Sequence, residues 1–460
     1  MLLYILATRR YLYAMLKNDA TTAWLFSRRI DLAIILLLVI IGASLRSTGL
    51  WHGIGFHPDE RHMVQVTEAL SKNHMNPKSF AYGSLSFYAA WGFAKLIAVF
   101  PGQVFSYDRI FFSGRLFCLI MGTLAIPLSY YLAILLYRRS AVGLVAATLM
   151  ALNVFHLQLS RFFTSDVTLT TLSLISIIAL IKAHQNGTLI SYLIFGFCAG
   201  LATATKISSV FLFAPLLFVV SLSTLKEWGR LTSWRLPLAS LAIALAAIML
   251  TLATDYLVFL KGYPRILGYR LAPLPTLIPL SVPFLALAAV LMAKFSKSLS
   301  RLCAAICLCI LIFVVAEPYA IIDFDTFSRQ TREQTAMVQG LWRPPYTIQY
   351  AHTIPYLYHL KQMLWYTMGW PIFIVGALGI LVTCAKMALE FVDKVLRREL
   401  LSTPFSSEII PLIFMIVFFT ATGYFQVKFP RYLLPLYPIL FVFAAAILTP
   451  RRRVRRSVQP

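Results

Sequence analysis

Long, unbroken apolar runs separated by short clusters of charge dominate the chain. A helix needs about 20 apolar residues to cross a bilayer core. Runs of that kind lie at roughly 31–49, 110–137, 141–159, 167–183, 188–205, 207–225, 236–258, 273–293, 302–317, 362–385, 408–426 and 432–449. Barrel strands of outer membranes alternate apolar and polar positions, and these runs do not. The pattern predicts an all-α polytopic membrane protein with about 12 transmembrane helices. One further apolar stretch, 84–100, carries Ser84, Ser86 and Lys95.

The basic flanks place that stretch. Arg9, Arg10, Lys17, Arg28 and Arg29 precede the first run, and Arg451, Arg452, Arg453, Arg455 and Arg456 follow the last. Basic flanks stay in the cytoplasm, so both termini are expected there and the number of spans is even. Twelve spans put Arg138/Arg139, Lys182, Lys226/Arg230/Arg235, Lys294/Lys297/Arg301 and Lys386/Lys394/Arg397/Arg398 inside. A thirteenth span would invert them all. Residues 84–100 therefore read as a juxtamembrane helix lying in the outer leaflet. Two outer loops follow, at 50–109 and 318–361, within a single membrane domain over 1–460.

Composition agrees. Apolar residues make up 59% of the 460 and charged ones only 13%, where a soluble domain is about one-quarter charged. An ordinary soluble enzyme and a disordered chain are both excluded. The 41 Lys and Arg against 17 Asp and Glu give +24. That surplus suits a bilayer and lipid phosphates, and no nucleic-acid partner is expected. The six cysteines all lie in apolar runs, where Cys acts as a small hydrophobe, so no disulfide framework is expected. Cys303, Cys307 and Cys309 have no nearby fourth ligand for a metal. The first long apolar run begins only after Asp31, with no small-residue cleavage site behind it, so no cleavable signal is expected.

Four constellations carry chemistry. In His57-Pro58-Asp59-Glu60, Pro58 suits a first helical turn and the two acids suit the positive end of the helix dipole. Met63, Val66 and Leu70 give this helix an apolar face for the membrane surface. In Arg161-Phe162-Phe163-Thr164-Ser165-Asp166, the acid stands at the outer end of a span. Helix capping alone would account for it, but the span parity puts Asp59, Glu60 and Asp166 on one side. Converging acids can hold a base, a metal or a sugar hydroxyl. Lys428, Arg431 and Lys206 stand at the same outer boundary, either as snorkelling anchors or as a clamp on a lipid phosphate. Tyr346, Gln349 and Tyr350 lie in the second outer loop, where aromatics and amides suit a sugar or an interfacial belt. His52, His57, His62 and His74 share the first loop with the acids. A divalent metal is one reading of that group, although its spacing matches no strong signature.

Taken together, His57 through Glu60, Arg161 to Asp166, Gly200-Leu201-Ala202 with Lys206, Pro345 through Tyr350, and Lys428 through Pro438 resemble the GT-C glycosyltransferases that use polyprenyl-phosphate sugars. Protein O-mannosyltransferases and lipid A aminoarabinose transferases are the nearest in pattern. The resemblance implies a GT-C-like bundle with juxtamembrane helices in the first outer loop. It implies Asp59 as catalytic base within the Asp59-Glu60 pair, Asp166 as the second acid, and His57, Tyr346, Gln349 and Tyr350 near substrate. It carries over no metal. Lys206, Lys428 and Arg431 are assigned to the donor phosphate by position alone.

The expected function is inverting transfer of a sugar from a polyprenyl phosphate to a hydroxyl acceptor. Neither the large soluble C-terminal domain of oligosaccharyltransferases nor the inserted β-trefoil of protein O-mannosyltransferases is expected, which puts a protein acceptor in doubt and leaves lipid or glycan acceptors open. The site is expected on the outer face of a bacterial inner (plasma) membrane. The rival readings are a polyprenyl-lipid transporter or flippase, which would place charges near the midplane within repeats, and a non-catalytic scaffold.

Overall fold

The computed structural model describes residues 20–51, 57–101, 104–228, 265–266, 269–270, 274–293, 296–397 and 404–449. The helices run as follows: α1 Ala20–Ser47, α2 Pro58–Ala69, α3 Ser84–Ile97, α4 Tyr107–Tyr137, α5 Ser140–Leu152, α6 Val154–Leu159, α7 Ser165–Asn186 and α8 Leu189–Thr203. A 3-10 turn, Ile207–Leu212, leads into α9 Phe213–Trp228. Then come α10 Leu274–Met292, α11 Lys297–Ala316, α12 Tyr319–Ile322, α13 Phe324–Gln339, α14 Leu357–Gln362, α15 Trp370–Leu396, α16 Ile409–Gly423 and α17 Tyr437–Leu448. Among the described residues the strands are one short antiparallel pair, Arg265–Ile266 with Tyr269–Arg270.

Seven described helical segments are long and apolar enough to cross a membrane, and shorter apolar helices accompany them. The chain is a multi-pass helical membrane protein. Helices stand at every expected span among the described residues, and the expected span at 236–258 lies outside them. The run expected from 362 becomes a long helix only at Trp370, because a π turn at Met363–Thr367 and Gly369 at φ +81° interrupt it. The run expected to end at 317 stops at Ala316.

α7 is the axis of the fold. Its apolar window is 83% buried, and that of Pro430–Leu448 is 72% buried. The other long helices pack around this pair and leave large apolar side chains such as Leu36, Val315 and Leu389 facing outward, as a bilayer solvent allows.

The joint between α5 and α6 shows how local breaks are repaired. Asn153 stops α5, its side chain accepts the His156 N–H at 2.9 Å and donates to the Thr367 carbonyl at 2.9 Å. Fully buried Arg46 of α1 then donates to the Met150 and Ala151 carbonyls and contacts His156 Nδ1 at 3.0 Å. Backbone groups freed inside an apolar region need such partners.

The first outer loop departs from expectation in one respect. Met63, Val66 and Leu70 were expected to lie along the membrane surface, yet they are buried with Phe87, Ala90, Ile110 and Phe111 in a cluster shared by α2, α3 and α4. Ser84 and Ser86, expected at the leaflet boundary, are also fully buried. The apolar face of α2 found a protein partner, because α3 folds back beside it. The second outer region, expected as a loop, contains α12, α13, a 3-10 turn at Pro345–Tyr350 and α14.

Candidate active site

Two helix starts deliver the acids. α2 begins with Pro58 at its first position and Asp59 and Glu60 in its first turn. α7 begins at Ser165 with Asp166 in its first turn. All three carboxylates thus sit where the helix dipole favours negative charge. Neighbouring positions on a helix point about 100° apart, and Asp59 and Glu60 part company accordingly.

Asp59 meets Arg431, with Arg431 Nη2 2.8 Å from its Oδ2. The same guanidinium places Nε 3.5 Å from Asp166 Oδ2. Lys206 Nζ donates to Asp166 Oδ1 at 2.7 Å. The contacts of Arg431 are ion pairs without hydrogen-bond geometry, since neither Asp59 Oδ2 nor Arg431 Nε completes a hydrogen bond. Aromatic rings enclose the cations: Phe429 lies 4.2 Å from the Arg431 guanidinium and Tyr432 lies 4.5 Å from Lys206 Nζ. Ring faces attract cations.

Glu60 is fully buried and turns to the protein. It takes a two-pronged contact from Arg115 of α4, Nε to Oε1 and Nη2 to Oε2, both at 2.7 Å. It also accepts the Phe163 N–H at 3.0 Å. Arg115 Nη1 reaches on to the Gly49 and Leu50 carbonyls, each at 3.1 Å. One buried pair therefore ties the start of α2 to the end of α1 and to the turn before Asp166. Arg161 adds to this joint by donating Nη2 to the Leu45 carbonyl at 2.6 Å.

Lys206 is held by backbone. The Gly83 N–H donates to the Thr205 carbonyl at 3.0 Å, and the Leu85 N–H donates to the Ala204 carbonyl at 3.1 Å. A Cβ at position 83 would stand 2.0 Å from the Ala204 oxygen, so only glycine permits this approach.

Asp59, Lys206 and Arg431 open on a cavity of about 800 Å³. His57 and Tyr346 line it too, whereas Asp166, Glu60, Lys428, Gln349 and Tyr350 do not. Lys428 is fully buried and donates Nζ to the Gln426 carbonyl at 3.1 Å; it precedes the 3-10 turn, Pro430–Leu436, that carries Arg431 into the cluster. Tyr350 is packed with Met337 and Val427 in a small separate core, and Gln349 Nε2 donates to the Tyr346 carbonyl. Burial lowers the basicity of His57 and His62, so both are neutral near pH 7. Among the described residues no group of three or more His, Cys, Asp or Glu side chains could hold a metal ion.

Three residues of this region escaped the sequence reading. Arg115 sits inside an apolar run, where a lone cation is costly and therefore informative. Tyr82 lines the cavity, and burial holds its hydroxyl well above the usual phenol range. Glu317, just past α11, lines the cavity at 3% exposure. An acid at the end of an apolar run was its signal.

Residues 88–253 match a family model described as dolichyl-phosphate-mannose-protein mannosyltransferase. No curated protein matches. Among solved structures, the Archaeoglobus fulgidus oligosaccharyltransferase tethered to an acceptor peptide with an NVT sequon matches at 16% identity and a TM-score of 0.50, over 92% of this chain and 50% of that one. ArnT from Cupriavidus metallidurans bound to undecaprenyl phosphate matches at 14% identity and a TM-score of 0.48, over 94% of this chain and 60% of that one. AglB from Archaeoglobus fulgidus, with an inhibitory peptide and a dolichol-phosphate, matches at 15% identity and a TM-score of 0.47, over 91% and 50%. The chain spans about half the length of the oligosaccharyltransferase chains it matches. The resemblance to GT-C glycosyltransferases read from the motifs is thus met by a family model over the middle of the chain and by the fold.

Proposed function

We propose that the protein is an inverting glycosyltransferase that moves a sugar from a polyprenyl-phosphate carrier to a hydroxyl of a lipid or glycan. The observation that carries this reading is the meeting of Asp59 and buried Asp166 on one guanidinium, Arg431, beside Lys206, with Asp59, Arg431 and Lys206 lining one cavity. Two acids and two cations clustered at the edge of one cavity supply a base and a seat for a phosphate. The family model that matches residues 88–253, whose description names a dolichyl-phosphate sugar, supports that donor class.

In the proposed reaction the acceptor oxygen bonds to the anomeric carbon as the bond from that carbon to the phosphate oxygen breaks. The acceptor proton passes to the Asp59 carboxylate. The electron pair of the breaking bond stays on the phosphate, where Arg431 and Lys206 stabilise the growing charge. A single displacement inverts the anomeric centre. A placed base is worth about 10²–10⁴-fold in rate. Asp166 holds Lys206 and Arg431 in place. Glu60, turned to Arg115, serves position and not proton transfer. Lys428 has no part in the phosphate seat, and a metal is not required by this scheme. The site faces outward from a bacterial plasma membrane, with both termini cytoplasmic, in keeping with the basic flanks.

The test is incubation of purified protein with a panel of polyprenyl-phosphate sugars and candidate lipid or glycan acceptors, followed by mass spectrometry of the products. Sugar transfer by the wild type is expected, with loss of at least about a hundredfold in Asp59→Asn and unchanged thermal unfolding. Near-normal turnover by Asp59→Asn would remove Asp59 from the role. Passage of a labelled carrier lipid across vesicles without sugar transfer would replace the whole reading with transport.

A further inference from the structure

Glu317 stands apart from the four charged groups of the proposed centre. It lies on the wall of the same cavity, 97% removed from solvent, and among the described residues no cation pairs with it. Its hydrogen bond from Ser84 Oγ is long, at 3.5 Å. A buried carboxyl with two donors, the Ser84 hydroxyl and the Ser84 backbone N–H, has capacity to spare, because each oxygen accepts two hydrogen bonds and the protonated form also donates one. Burial pushes this carboxyl up to about 8, so at neutral pH it is chiefly an uncharged acid, able to give and to accept.

Its position in the cavity follows from its neighbour. Ser84 lies between Gly83 and Leu85, the two residues whose N–H groups grip the Thr205 and Ala204 carbonyls. Lys206 follows directly. Glu317 is therefore on the side of the cavity where Lys206 would take the phosphate, and the group one bond from that phosphate is the sugar.

We propose that Glu317 is a binding residue for the transferred sugar, hydrogen-bonding one of its hydroxyls from the stretch of cavity wall that it shares with Gly83 and Lys206. This rests on the glycosyl-transfer reading. A neutral carboxyl is suited to a hydroxyl, which needs both an acceptor and a donor, and not to an ammonium group, which needs a charge.

The test compares binding of undecaprenyl phosphate and of undecaprenyl-phosphoryl-mannose to detergent-purified wild type, Glu317→Gln and Glu317→Leu, with thermal unfolding of each. Glutamine keeps a donor and an acceptor, so its affinity for the sugar-bearing lipid should stay within a few-fold of wild type. Leucine should weaken binding of the sugar-bearing lipid about tenfold and leave the bare lipid phosphate unaffected. Three results overturn the proposal. Equal effects of leucine on both lipids would make Glu317 only a support for the start of α3. A loss in glutamine as large as in leucine would show that a negative charge is required. Wild-type protein that binds neither lipid would bring down the transfer reading and this one together, a result distinct from the other two.

Discussion

At the scale of single residues the centre is an arrangement of shared charge. Arg431 touches both Asp59 and Asp166, while Lys206 touches Asp166 alone. Arg431→Ala should therefore weaken binding of a polyprenyl-phosphate donor more than that of the acceptor, measured as separate KM changes; equal changes would argue against a phosphate seat. Glu317 gives a second expectation, with its sign set by linkage. Its carboxyl keeps its proton in the fold up to about pH 8, from an ordinary value of 4.5. Between those values the unfolded chain has lost the proton that the folded chain retains, so this group lowers stability as pH rises. Glu317→Gln should thus gain in thermal stability over wild type between about pH 5 and pH 8; a difference that is flat with pH would refute the assignment. Asp59 and Asp166 were legible in the sequence because span parity alone brings two helix starts to one side. The direction of Glu60, away from them and toward Arg115, was not, because adjacency in a motif says nothing of the hundred-degree turn that separates two side chains on a helix.

At the scale of elements, what matters is how three helix ends are kept in register. The buried Glu60–Arg115 pair joins α1, α2, α4 and the turn before α7 through five polar contacts of 2.7–3.1 Å. Removing one partner of such a pair leaves the other buried and uncompensated, at a cost of about 3–5 kcal/mol. Glu60→Gln should show a loss of that order in unfolding experiments, with activity falling in step. A Glu60→Gln protein of full stability and no transfer would return Glu60 to a chemical role. Sequence pattern located α2 and its apolar face correctly but sent that face to the lipid. An amphipathic stripe declares that it must be covered, and not by what; α3 covers it here. Arg115 stayed hidden for a related reason, since nothing local to an apolar run shows which distant acid a lone cation will meet.

At the scale of the whole molecule, the apolar runs translated directly into helices because backbone groups in hydrocarbon have no other means of satisfaction. The interruptions were harder to see: the π turn at Met363–Thr367 and the joint at Asn153 depend on tertiary partners such as Arg46 and the Thr367 carbonyl. The proposed orientation is open to direct measurement. Exposed Glu68 of α2 and exposed Asn186 at the end of α7 belong to opposite sides of the membrane in the twelve-span scheme. In intact cells a membrane-impermeant thiol reagent should label Glu68→Cys and spare Asn186→Cys. Labelling of Asn186→Cys alone would turn the protein over and move the reaction to the cytoplasm.

The double grip of Arg431 has a consequence for timing. A guanidinium that leans on two carboxylates holds both in one place. In the proposed reaction a carrier phosphate draws Arg431 toward itself, and Asp59 is released to turn to the acceptor only as the leaving group arrives. Such a safety catch would spare the carrier from idle hydrolysis by water, holding reactivity in reserve until both halves of the exchange are in place.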